Sequence, residues 1–83
     1  MDTCIITFRS VTPAQRGENA LKKAGISCSL RRTPRVLAEQ GCGYSLWVSN
    51  NQLMAATEYL DRKGIAYRKT YCLRNGKPEE VVL

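Results

Sequence analysis

A repeated segment constrains this 83-residue chain more than anything else in it. Leu21-Lys22-Lys23-Ala24-Gly25-Ile26 returns as Leu60-Asp61-Arg62-Lys63-Gly64-Ile65, with the two glycines 39 residues apart. Each copy reads as the end of a helix, a glycine that stops it and the first residue of a strand. Glycine is suited to that stop because it adopts left-handed backbone without a steric penalty. The chain therefore reads as two βαβ halves. Two such halves predict an α+β fold of the ferredoxin-like, split βαβ plan (βαββαβ). That plan is one antiparallel sheet with two helices on one face.

The remaining segments fit this frame. Cys4-Ile5-Ile6-Thr7-Phe8 is short, apolar and β-branched, a buried strand with Cys4, Ile6 and Phe8 on one face. In Thr12-Pro13-Ala14-Gln15, Thr12 can cap a helix, Pro13 fits its first turn and Gln15 completes a capping box. Ala14, Gly17, Ala20, Leu21 and Ala24 would then form one small-residue face for close packing on a sheet. Residues 26–30 alternate, with Ile26, Cys28 and Leu30 inward, and Pro34 stops that strand. Tyr44-Ser45-Leu46-Trp47-Val48 alternates too, with Trp47 on the side away from the helices. Ser49 and Gln52 repeat the capping pattern ahead of a stripe of Leu53, Ala56, Thr57 and Leu60. A fourth strand is expected over 65–71. Residues 1–72 thus read as one domain and 73–83 as a C-terminal tail or extra edge strand. Within that tail Asn75-Gly76 is a turn signal, which leaves a hairpin, an intersubunit edge or a frayed end open.

Composition removes many kinds of chemistry. The chain has no histidine, so Ser-His-Asp and Cys-His pairs and a histidine base are excluded. The acidic residues form no recognisable acid–base pair, and no enzyme machinery is legible. The four cysteines, Cys4, Cys28, Cys42 and Cys72, include no C-x-x-C and lack zinc-chelating spacing. No apolar run approaches the roughly 20 residues that span a membrane, and no basic segment precedes the first apolar stretch as a signal peptide requires. The expectation is a soluble cytoplasmic protein with free thiols. A net charge of +6 favours an anionic partner, although the thirteen basic residues are scattered. Trp47, on the open side of the sheet, marks a candidate contact with a partner or a second copy of the chain.

Cys42 is the one cysteine placed for chemistry. It lies between Gly41 and Gly43, so neither neighbour screens its sulfur, and Arg31, Arg32 and Arg35 precede it closely. Positive charge and inward-turned backbone N–H groups both lower a thiol pKa and raise the reactive thiolate fraction. The bland alternative is a tight turn with a small residue in its middle.

Pro34-Arg35-x-Leu37 followed by Gly41-Cys42-Gly43, after an Ile-Ile-Thr-Phe strand, resembles a family of small bacterial proteins described as selenium or sulfur carrier-like. The resemblance runs from about Cys4 to Tyr71. It implies that Cys42 is the carrier thiol, with Gly41 and Gly43 its flanks and Pro34 and Arg35 the signature of its loop. Ala38 departs from the family pattern, where a serine often follows the leucine. The resemblance also implies sulfur or selenium held covalently on Cys42 without other cofactors, and donor and acceptor proteins as partners. Arg35, with Arg31 and Arg32, would stabilise the thiolate or dock an acidic partner. The alternative is a basic module for RNA or another anion, with Cys42 only a turn residue. Against RNA, the paired-aromatic strand motif of RNA-recognition domains is missing.

Overall fold

Two strands of alternating and apolar sequence, at the centre of the chain's pairing, hold the fold together. In the computed structural model, which describes residues 3–37 and 43–82, these are β1 (Thr3–Phe8) and β3 (Tyr44–Ser49). The element order is β1, α1 (Val11–Lys23), β2 (Ser29–Arg32), β3, α2 (Leu53–Arg62), β4 (Thr70–Arg74) and β5 (Lys77–Val81). One five-stranded sheet runs β2-β3-β1-β4-β5, and each neighbouring pair is antiparallel. Each βαβ half is therefore split by a strand of the other: β3 lies between β1 and β2, and β1 lies between β3 and β4.

Both helices share a single core with one sheet face. Cys4, Ile6 and Phe8 of β1 and Leu46 and Val48 of β3 cluster there with Ala14, Leu21, Leu53, Ala56 and Leu60. Gly17 sets how closely α1 approaches. A Cβ there would lie 3.1 Å from Leu46, 3.2 Å from Phe8 and 3.3 Å from Leu60, so the bare backbone fits where a side chain crowds. Truncating a fully buried leucine in such a core, Leu21, Leu46 or Leu60, costs about 2–5 kcal/mol. Among the described residues, no helix is long and apolar enough to cross a membrane.

The sequence repeat is a repeated helix stop. After α1, Ile26 N–H donates to Leu21 O (2.9 Å) and Gly25 N–H to Lys22 O (3.1 Å), with Gly25 at φ 80°. After α2, Ile65 N–H donates to Leu60 O (2.9 Å) and Gly64 N–H to Asp61 O (3.1 Å), with Gly64 at φ 71°. These are two Schellman motifs, each fastened by a buried leucine–isoleucine pair across the stop.

Several local expectations are corrected. The first helix begins before Thr12. Its N-cap is Ser10, in extended backbone and without a side-chain cap bond, so the expected capping box is not what starts it. Ala24 is the exposed C-cap residue rather than part of the packed face. The second strand begins later than read, because residues 26–28 run without ladder partners before β2. The fourth strand likewise starts at Thr70. Asn75 (φ 52°) and Gly76 (φ 77°) make the turn of a β4–β5 hairpin, since paired positive-φ residues match the twist of a two-residue hairpin loop.

The expectation of free thiols fails for two cysteines. Cys4 of β1 sits directly opposite Cys72 of β4, and the pair forms a disulfide. The register explains it, because opposed positions on antiparallel neighbours bring two Cβ atoms within bonding reach of their sulfurs. Cys4 is nevertheless the core residue the sequence indicated, fully buried in the central cluster.

Candidate functional site

The expected carrier loop leaves the sheet where β2 gives way to β3. Thr33 and Gly43 bracket it: Thr33 N–H donates to Gly43 O at 3.0 Å, extending the β2–β3 ladder by one bond. Beyond Thr33, Pro34 opens a single 3-10 turn at Arg35–Leu37, closed by Leu37 N–H to Pro34 O at 2.8 Å. Proline suits the turn's entry because its fixed φ is already near the value required. Gly41 and Cys42 lie outside the described residues, so the anion-binding nest of backbone N–H groups expected around the thiol falls there too.

Gly43 is needed for space and not for left-handed backbone. Its φ is not positive, and an added Cβ would lie 3.2 Å from the Phe8 carbonyl oxygen and 3.5 Å from Thr33 Oγ1. Close passage of this backbone against the end of β1 is what crowds a side chain there. Beside it, Thr33 Oγ1 is buried and has no hydrogen-bond partner among the described residues. A buried hydroxyl normally has one. Thr33 was not singled out from sequence, since a threonine ahead of a proline carries no signal of burial. Val36 was missed as well: it stands 77% exposed on the 3-10 turn, an apolar knob at the loop's entry.

The three arginines do not converge. Arg31 and Arg32 are consecutive on β2 and point to opposite faces of the sheet. The Arg31 guanidinium lies 4.8 Å from the centre of the Trp47 ring, and Arg32 lies 6.0 Å from that of Tyr44. Arg35, on the 3-10 turn, is exposed and makes no ion pair with a described residue. Arg31 thus lies on the helix-free face and Arg32 on the face that carries the helices. Arg35 is the guanidinium adjacent to the loop.

The helix-free face has its own order. Trp47 and Tyr71 lie opposite Ile5 on either side, and Ile5 is 1% exposed although no helix covers it. Trp47 lies along the strand, its Nε1–H donating to Ser45 Oγ (2.9 Å), while Ser45 Oγ–H donates to Arg31 O (3.3 Å). The tryptophan roofs its own sheet, which is how Ser45 becomes fully buried.

Cys28 is the described free cysteine, and its environment opposes reactivity. Burial raises its pKa first, the Glu18 carboxylate adds to that, and Lys22 partly offsets it. Among the described residues, no group of three or more cysteine, aspartate or glutamate side chains is arranged for a metal ion.

The five-stranded α+β scaffold places the Pro34 and Arg35–Leu37 turn at the start of the connection between β2 and β3. The chain belongs to the family described as "Putative Se/S carrier protein-like", whose model matches residues 3–72. That span takes in β1 through the first part of β4, including the whole 33–43 connection. No curated protein and no solved structure matches the chain.

Proposed function

We propose that this protein carries sulfur or selenium on Cys42, as a persulfide or selenosulfide, and passes it to an acceptor protein without catalytic machinery of its own. The observation that carries the reading is the family match, which spans both βαβ halves and the connection between them. The described parts of that connection support it. Arg35 and Val36 stand exposed on a turn fixed at both ends, a charged and an apolar contact side by side for a docking partner. In the loading step the Cys42 thiolate attacks the outer sulfur of a donor persulfide. The donor's S–S bond breaks, its thiolate leaves, and no net oxidation occurs. Release to an acceptor thiolate repeats the exchange in reverse.

Two measurements test this. The first is the pH dependence of alkylation at each cysteine, read by mass spectrometry. Cys42 is expected to react far faster than Cys28, with a midpoint below that of a free thiol near 8.5. The second is loading with an inorganic polysulfide, which should add one sulfur to the Cys42 peptide and none to the same peptide of the Cys42→Ser variant. Equal reactivity of Cys42 and Cys28, or no sulfur on the Cys42 peptide, overturns the reading.

A second reading, a basic module for single-stranded RNA, draws on Trp47 and Tyr71 flanking Ile5 on the helix-free face. Such proteins stack bases on exposed aromatic rings. It ranks second because Arg31 already covers the Trp47 ring. A salt-dependent mobility shift with RNA, lost in Trp47→Ala, would promote it.

A further inference from the structure

We propose that Cys4 and Cys72 form a second thiol site, independent of Cys42, that exchanges reversibly with low-molecular-weight thiols. Three observations meet there. The two cysteines are unequally exposed: Cys4 is fully buried in the core, whereas Cys72 is partly exposed and lines a cleft of about 500 Å³. The cleft lies between the start of α2 and the β4–β5 hairpin. Leu53, Met54, Val81 and Val82 make its apolar walls, and the Arg74–Glu79 ion pair stands among its lining residues. A small thiol can therefore reach one sulfur of the bond and not the other.

The third observation is Asn50, which also lines the cleft. Its Oδ1 lies 3.4 Å from Cys4 Sγ and 3.8 Å from Cys72 Sγ. A disulfide sulfur carries no proton, so this carbonyl gains a hydrogen bond only when the pair is reduced and a thiol S–H points at it. With the amide turned over, its N–H₂ group donates instead to a departing thiolate. Either way Asn50 favours the reduced pair and the leaving sulfur.

The exchange balances as follows. A small thiolate attacks Cys72 Sγ, the Cys4–Cys72 bond breaks, and the electron pair leaves on Cys4 Sγ, which takes up a proton. A second small thiol attacks the mixed disulfide on its non-protein sulfur and frees the Cys72 thiol. Two small thiols are oxidised to one disulfide, and the protein disulfide is reduced to two thiols.

The test uses the full chain carrying Cys42→Ser, so that its outcome is separate from the carrier reading. The protein is equilibrated in mixtures of reduced and oxidised glutathione, approached from both directions, quenched with an alkylating agent and read by mass spectrometry. The expected result is a single reversible curve, with the pair reduced at about a hundredfold excess of reduced glutathione and the helical circular dichroism retained. In the Cys4→Ser variant, glutathione should be trapped on Cys72. Asn50→Ala should shift the midpoint toward the disulfide by roughly three- to tenfold in glutathione ratio, the worth of one hydrogen bond. A pair that stays oxidised in folded protein until urea unfolds it overturns the proposal. Glutathione on Cys4 in a Cys72→Ser variant, at a rate equal to that on Cys72 in Cys4→Ser, overturns the assigned direction of attack. An unmoved midpoint in Asn50→Ala removes Asn50 from the site. The wild-type pair's titration needs no variant at positions 4, 50 or 72, so a misfolded substitution does not decide the question.

Discussion

The two βαβ halves stop their helices in the same way and then diverge. After Gly25 and Ile26 the chain enters β2, an edge strand of four residues that runs out into the 33–43 connection. After Gly64 and Ile65 it enters β4, which is flanked on both sides and bonded covalently to β1 through Cys4 and Cys72. One half ends in an opening and the other in a closure. A shared helix stop therefore fixes packing but not what the following strand is used for. Use is decided by whether the strand becomes an edge or an interior member of the sheet.

The largest effect is expected at the closure. The disulfide links residues 68 apart in sequence, and by loop-closure entropy its removal in a Cys4→Ala/Cys72→Ala double variant should cost roughly 4 kcal/mol in urea unfolding. Arg35→Ala, on the exposed turn of the other half, should stay within about 0.5 kcal/mol. Where the halves agree, substitutions should agree. Gly25→Ala and Gly64→Ala each force a Cβ into left-handed backbone, with nothing within 4 Å to clash, and each should cost about 1–2 kcal/mol. Unequal costs in urea unfolding would show that the two stops are not energetically alike.

At the opening, Gly43→Ala places a methyl 3.2 Å from the Phe8 carbonyl and should cost about 1 kcal/mol. Its readout is faster hydrogen exchange at the Thr33 amide, which Gly43 O holds. The smallest effect concerns Cys28. Its raised pKa means that the folded chain holds the thiol proton more tightly than the unfolded chain does. The resulting stabilisation is present below the ordinary thiol pKa and is lost as pH rises above it. At mildly alkaline pH, Cys28 should alkylate more slowly in the folded protein than in urea. Glu18→Gln should lower its midpoint.

Much of the architecture was legible because it is written in local rules. The glycine stops follow from backbone sterics, and the inward positions of β1 and β3 follow from a period of two. Ser10 was not legible as the cap because Thr12-Pro13 carries the stronger conventional signal, while the helix begins two residues earlier without a side-chain bond. The Cys4–Cys72 pairing depends on the register between strands 68 residues apart, which no local pattern encodes. Ile5 shows the same limit, since its burial comes from Trp47 and Tyr71 on neighbouring strands. At the candidate site, Pro34, Arg35 and Gly43 were visible by residue type. The burial of the Thr33 hydroxyl and the divergence of Arg31 from Arg32 required the fold.

Strand β5 has a consequence for self-association. The family match ends at Cys72, within β4, so β5, which pairs with the outer side of β4, lies beyond the matched span. Without it, β4 would offer the backbone of Tyr71, Cys72 and Leu73 as an unpaired ladder, a template for strand addition by another chain. With it, the outermost strand on that side is Lys77-Pro78-Glu79-Glu80-Val81, where proline lacks an N–H and the charged side chains resist desolvation. Strand β5 thus covers the outer margin of β4 with an edge whose proline and charges disfavour further strand pairing.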